Sequence, residues 1–223
     1  MKNATTCISL VLALLLAVPA FAQRGPGAGN GPSVPDPAVT IAAQTLSTDE
    51  ESSLFWMREE EKLARDVYLT LYAKWPLLIF DNIAASEQRH FDAVGTLLER
   101  YSLPDPALKD VGAFSKTEFE VLFDSMILQG SASVTEALKV GVAIEEMDIL
   151  DLNTALATAE NSDVIRVYTN LLKGSESHLR AFVSHLEVMG ESYVPKYLDP
   201  ATAADILSKS AVSTRSGNGA GKR

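Results

Sequence analysis

Cysteine is nearly absent from the 223-residue chain, which has one, Cys7. Disulfides are therefore excluded, and any metal site must use oxygen and nitrogen donors rather than thiolates. Basic residues are also scarce, with 19 Lys and Arg against 29 Asp and Glu and a formal net charge of −10. No concentrated basic face is left for nucleic-acid phosphates or for an anionic membrane surface. A surplus of carboxylates does suit cations. Long apolar runs are missing beyond Ile8–Val18, which is too short and wrongly flanked for a spanning helix. Strand-period alternation bounded by turn residues is missing as well, so the fold class expected is all-α.

The N-terminus carries Lys2, then the apolar run, then Ala20-Phe21-Ala22 in the small-x-small form of a cleavage site. Residues 1–22 read as a signal peptide, and its removal takes Cys7 with it. The expected location is periplasmic or extracellular, with no stable membrane insertion after cleavage. Residues 23–47 include the Gly/Pro-rich QRGPGAGNGPSVPDPA and read as a disordered linker. A helical domain is expected over 48–200 and a flexible tail over 201–223. Five helices are predicted. The first opens with a Thr48-x-x-Glu51 capping box and stops at Trp75-Pro76. The second covers about 80–101. A short third runs from Ser115-x-x-Glu118 to Gly130, a fourth from Ser133-x-x-Glu136 to about 157, and a fifth from about 162 to 189 before Gly190. Short links pair the first helix with the second and the fourth with the fifth. The thirty-odd residues between form a long crossover carrying the short helix, as in a four-helix bundle with one crossover.

Several charged residues interrupt the apolar stripes. Glu87 has Phe80, Ile83, Phe91 and Val94 on its face, with His90 one turn on. A lone charge does not belong there. Glu145 shares a stripe with Leu138, Val142, Ile149 and Leu152, and is deeper than Glu146. His178 lies with Leu171, Ala181 and Phe182. In the run Glu59-Glu60-Glu61, Glu59 groups with Lys62 and Asp66 and is assigned to solvent, whereas periodicity divides evenly between Glu60 and Glu61. Each long helix thus offers an inward polar group near its middle. Carboxylates gathered in one dry layer repel and take up protons unless a cation neutralises them. Two imidazoles with three carboxylates suit iron, manganese or zinc better than calcium or magnesium.

The segments MREEEKLARDVY, NIAASEQRHFDAV, GVAIEEMDILDL and NLLKGSESHLRAF together resemble the ferritin-like di-iron carboxylate proteins, where two helices give a Glu each and two give Glu-x-x-His. More narrowly they resemble an uncharacterised family of ferritin-like bacterial and archaeal proteins, a domain of unknown function, over about residues 54–197. The resemblance implies Glu61, Glu87, His90, Glu145 and His178 as metal ligands. It favours Glu61 over Glu60 because Tyr68 follows seven residues later, placed to orient a ligand carboxylate. The pattern departs at Ser175, where the second Glu-x-x-His should begin. Asp148 is the expected substitute, with Glu176 next in sequence but turned aside, so mononuclear and di-iron sites both stay open. The implied function is an exported metal-binding protein that oxidises Fe(II) or reacts with dioxygen or peroxide. Its partners would be metal ions and, as a homo-oligomer, further copies of the chain. The alternative is a non-enzymatic helical binding module whose metal site has degenerated.

Overall fold

The computed structural model describes residues 45–209; the signal-peptide, linker and distal-tail assignments lie outside the described residues. Six helices and no strand occur among the described residues: α1 (Thr48–Lys74), α2 (Leu78–Arg100), α3 (Thr117–Gly130), α4 (Val134–Thr158), α5 (Ser162–Val188) and α6 (Pro200–Ser208). None is long and apolar enough to cross a membrane.

Local chemistry explains most boundaries. The capping box at α1 uses Ser47 and Glu50, one residue before the predicted pair: Ser47 Oγ accepts from the Glu50 amide at 3.2 Å, and Glu50 Oε2 accepts from the Ser47 amide at 2.9 Å. The other Glu50 oxygen accepts from the amides of Glu160 and Asn161, which ties the start of α1 to the α4–α5 turn and fixes the register of the box. At α4 the predicted cap forms, with Ser133 Oγ accepting from the Glu136 amide. At α3 it does not. That helix begins at Thr117 after Lys116, and the Ser115 amide instead donates to Glu59 Oε1 at 2.6 Å. Where a flexible tail is expected from 201, α6 continues the ordered chain. Asp199 caps it through the amides of Ala201 and Thr202, and Pro200 occupies its first turn. Ala203 and Ile206 bury its inner face.

α1 packs along α2 and α4 along α5, with further contacts between α2 and α5 and between α1 and α4; α3 lies against α1 and α4, and α6 against α5. The apolar interior falls into two clusters. One gathers Tyr68, Phe80, Phe182 and their neighbours, and the other gathers Leu54, Val94, Leu152 and Tyr168. Along every long helix the change from one cluster to the other falls close to a polar residue. Glu59–Glu61 divide α1, Glu87 and His90 divide α2, Glu145 and Asp148 lie at the change in α4, and Ser175 and His178 divide α5. A polar layer therefore crosses the middle of the interior.

The link between α2 and α3 covers a face that periodicity assigns to solvent. Glu59, Lys62 and Asp66 are fully buried beneath it. Lys62 Nζ pairs with Asp66 and donates to Asp110 O at 2.8 Å, over the Phe114 ring. Asp66 Oδ2 accepts from the Gly112 amide at 3.0 Å. Gly112 has φ of +76°, a backbone conformation open to glycine at little cost.

Candidate metal centre

Four helices bring five predicted side chains into the polar layer. Glu61 comes from α1, Glu87 and His90 from α2, Glu145 from α4 and His178 from α5. They form two ligand groups, Glu61–Glu87–His90 and Glu87–Glu145–His178, and within each group the donor atoms lie within 4.8 Å of one another. Glu87 belongs to both. Its Oε2 stands 2.7 Å from His90 Nδ1 and its Oε1 stands 2.7 Å from His178 Nδ1. Glu61 Oε2 completes one group at 3.3 Å from His90 Nδ1, and Glu145 Oε2 the other at 3.5 Å from His178 Nδ1. The two imidazoles stack with centroids 5.6 Å apart.

These close approaches are not aligned hydrogen bonds. Glu61 Oε1, Glu87 Oε1, His90 Nδ1 and His178 Nδ1 are all buried without a hydrogen-bond partner. Buried polar atoms are normally paired, and several unpaired ones within two groups of closely spaced donors fit a ligand set. Glycine at 174 permits the imidazole packing, since a Cβ there would sit 2.6 Å from His90 Cε1 and Nε2.

The charge state follows from burial and neighbours. Burial pushes Glu61 well above the usual carboxylate range, and the charges of Asp148 and Glu87 add to it. Burial raises Glu145 too, reinforced by Glu87 and opposed by His178 and Tyr68. Glu87 differs. Burial would raise it, but His178 and His90 together outweigh burial and hold it at about 2. Burial would lower His178, yet Glu145 and Glu87 lift it to about 10. The shared carboxylate is thus the most readily ionised acid of the layer.

The neighbouring candidates divide. Tyr68 donates to Glu145 Oε1 at 2.6 Å and so orients that carboxylate, while burial and the Glu145 charge keep its phenol protonated. Ser175 Oγ shares its single proton between two acceptors, Asp148 Oδ2 in a short contact and Leu171 O at 3.0 Å. Asp148 therefore brings a carboxylate to the place where α5 has a hydroxyl. Burial first and Glu145 second raise it to about 7, and its Oδ1 is orphaned. Glu60, the residue periodicity could not separate from Glu61, is buried as well. Burial, then Asp148 and Asp151, push it well above the ordinary range. Glu176 is not brought to the centre; it turns toward Lys209 at 3.2 Å and Arg180 at 4.0 Å.

Two buried carboxylates beside the centre have other work. Glu59 holds the α2–α3 link through Ser115. Glu146 is as buried as Glu145, and its Oε2 accepts from the amides of Lys196, Tyr197 and Leu198 while Oε1 accepts from Tyr193 Oη. No periodic signal marks either role, because in both the partners come from loop segments rather than from residues on a helix face.

The chain is similar to the uncharacterised protein MJ0754 of Methanocaldococcus jannaschii, 49% identical over 172 residues that make up 77% of this chain and 93% of the relative. The crystal structure of hypothetical protein MJ0754 from Methanococcus jannaschii DSM 2661 matches with a TM-score of 0.74 at 47% identity, covering 80% of this chain and 99% of that one. Residues 50–210 match the family described as Uncharacterized protein domain (DUF2202), and the chain belongs to that family.

Proposed function

We propose that this protein is an exported, ferritin-like metal-binding protein that holds two iron or manganese ions on either side of Glu87, within a four-helix bundle made by α1, α2, α4 and α5. Two sets of buried carboxylate and imidazole donors converge on a shared carboxylate, and several of their buried atoms lack a hydrogen-bond partner. Glu61 and His90 would complete one position and Glu145 and His178 the other. Tyr68 holds the Glu145 carboxylate in place through its hydrogen bond. Asp148 stands in for the carboxylate that Ser175 lacks, held there by the serine hydroxyl. Mixed carboxylate and imidazole donors suit iron and manganese, and zinc next. Iron held by these residues would support oxidation of Fe(II) by dioxygen or peroxide. Export rests on the N-terminal Lys2, apolar run and Ala20-Phe21-Ala22 pattern.

Elemental analysis of protein made in the periplasm without chelators tests this directly. About two ions per chain are expected, with Fe(II) consumed faster in air by the protein than by buffer. A well-folded protein that stays metal-free after Fe(II), Mn(II) and Zn(II) are supplied would contradict the proposal and favour a binding module with a metal-free polar core.

A further inference from the structure

Glu146 is fully buried yet belongs to neither ligand group. Both of its oxygens are taken by the segment that follows α5. Oε2 accepts from the amides of Lys196 at 2.8 Å, Tyr197 at 2.6 Å and Leu198 at 3.2 Å, and Oε1 accepts from Tyr193 Oη at 2.9 Å. Gly190, with φ of +82°, turns the chain out of α5 so that this segment can reach α4. Hydrogen bonds to an ionised carboxylate are among the strong ones, so Glu146 fastens residues 193–198 to α4 as a fixed wall.

The wall does not close down on the helices. Between it and α4 and α5 lies a cavity of about 300 Å³, large enough for a small molecule. Val142, Ala143, Leu186 and Val194 give it an apolar lining. Ala143 contributes only a methyl group, and Val194 is 78% exposed beside it, so apolar surface is left open to water.

Two ammonium groups, Lys139 and Lys196, share this cavity in a chain with 19 basic residues against 29 acidic ones. Lys139 is engaged by Glu136 at 3.1 Å and by Glu191 at 3.4 Å. Lys196 differs. Its backbone is pinned through Glu146, its ammonium lies 4.8 Å from the Tyr197 ring centroid, and among the described residues no carboxylate pairs with it. The Glu146 charge is already surrounded by its own donors.

We propose that this cavity binds a small organic anion with an apolar body, a carboxylate on a medium-length hydrocarbon chain. The chain lies on Val142, Ala143 and Leu186, and the carboxylate meets the Lys196 ammonium. An apolar lining with one well-placed polar partner is the usual composition of a small-molecule site. None of the lining residues is in either metal-ligand group, so the site is independent of the metal reading and its test needs no metal.

Amide NMR of the protein titrated with octanoate locates the ligand. Saturable shifts are expected at Val142, Ala143, Tyr193 and Val194. Octanoate should bind at least about tenfold more tightly than butanoate, because its extra methylenes bury more apolar surface. Lys196→Gln should weaken octanoate about tenfold by removing the charged partner, while Lys196→Arg should retain it. Ala143→Leu should fill the space and abolish binding. Lys196 is exposed, so its variants report even if the Leu variant packs poorly. Octylammonium binding at the same amides as tightly as octanoate would overturn the choice of an anion. Octanoate shifts confined to other surfaces, or no saturable shift at all, would overturn the site itself.

Discussion

Glu87→Gln is expected to abolish tight metal binding at both positions, while Glu61→Gln and Glu145→Gln each abolish one. The substitution keeps size and burial but removes the charge that both ligand groups share. The two Glu87 oxygens serve different imidazoles, Oε2 beside His90 and Oε1 beside His178, so a single change acts on both groups. An amide offers one acceptor and a donor in place of two acceptors, and the donor would repel a cation. The loss of affinity should exceed the roughly 10–100-fold typical of changes to residues that only orient ligands. Tyr68→Phe supplies that comparison, because the Tyr68 hydroxyl donates to Glu145, which belongs to one ligand group alone. Mn(II) titration calorimetry of the four variants gives the pattern. Equal effects of Glu61→Gln and Glu87→Gln would contradict a shared carboxylate.

Asp66→Ala is expected to cost the fold about 3–5 kcal/mol, because it strands the Lys62 ammonium in the interior. Both side chains are fully buried. Asp66 also accepts from Arg65 Nε and Nη2 and from the Gly112 amide, so it fastens the α2–α3 link to α1. Lys62→Met should cost less, since Asp66 would keep Arg65 and the Gly112 amide, and the lost hydrogen bond to Asp110 O is worth only about 1–3 kcal/mol. Urea unfolding of the two variants measures the difference. An Asp66→Ala cost no larger than that of Lys62→Met would show that the link is not held this way.

Particular residues show what can be read from the chain and what cannot. Glu87, Glu145 and His178 are legible because each breaks an apolar stripe of its own helix, a signal carried by local spacing alone. Ser133 is legible for the same reason, its partner being three residues away. Glu59, Lys62 and Asp66 are not. Their spacing is that of a solvated face, and they are buried by a segment some 50 residues later whose amides and ring cover them. Spacing underrates Glu146 likewise, because residues 196–198 supply its donors. Asp148 and Ser175 show the middle case. The resemblance to the ferritin-like pattern implies Asp148 as the substitute for a missing carboxylate, but its hydrogen bond with Ser175 joins α4 to α5 and needs the fold to exist. The α6 helix carries its own signal, an Asp cap followed by Pro, which the Gly- and Ser-rich residues beyond it obscure.

Anomalous diffraction from crystals grown with Mn(II) or Fe(II) decides whether two metal ions share Glu87. Two peaks about 3.5–4 Å apart are expected, one facing Glu61 and His90 and the other Glu145 and His178, with the Glu87 carboxylate between them. Metal peaks confined to surface carboxylates, with Glu87 touching none, would contradict that sharing.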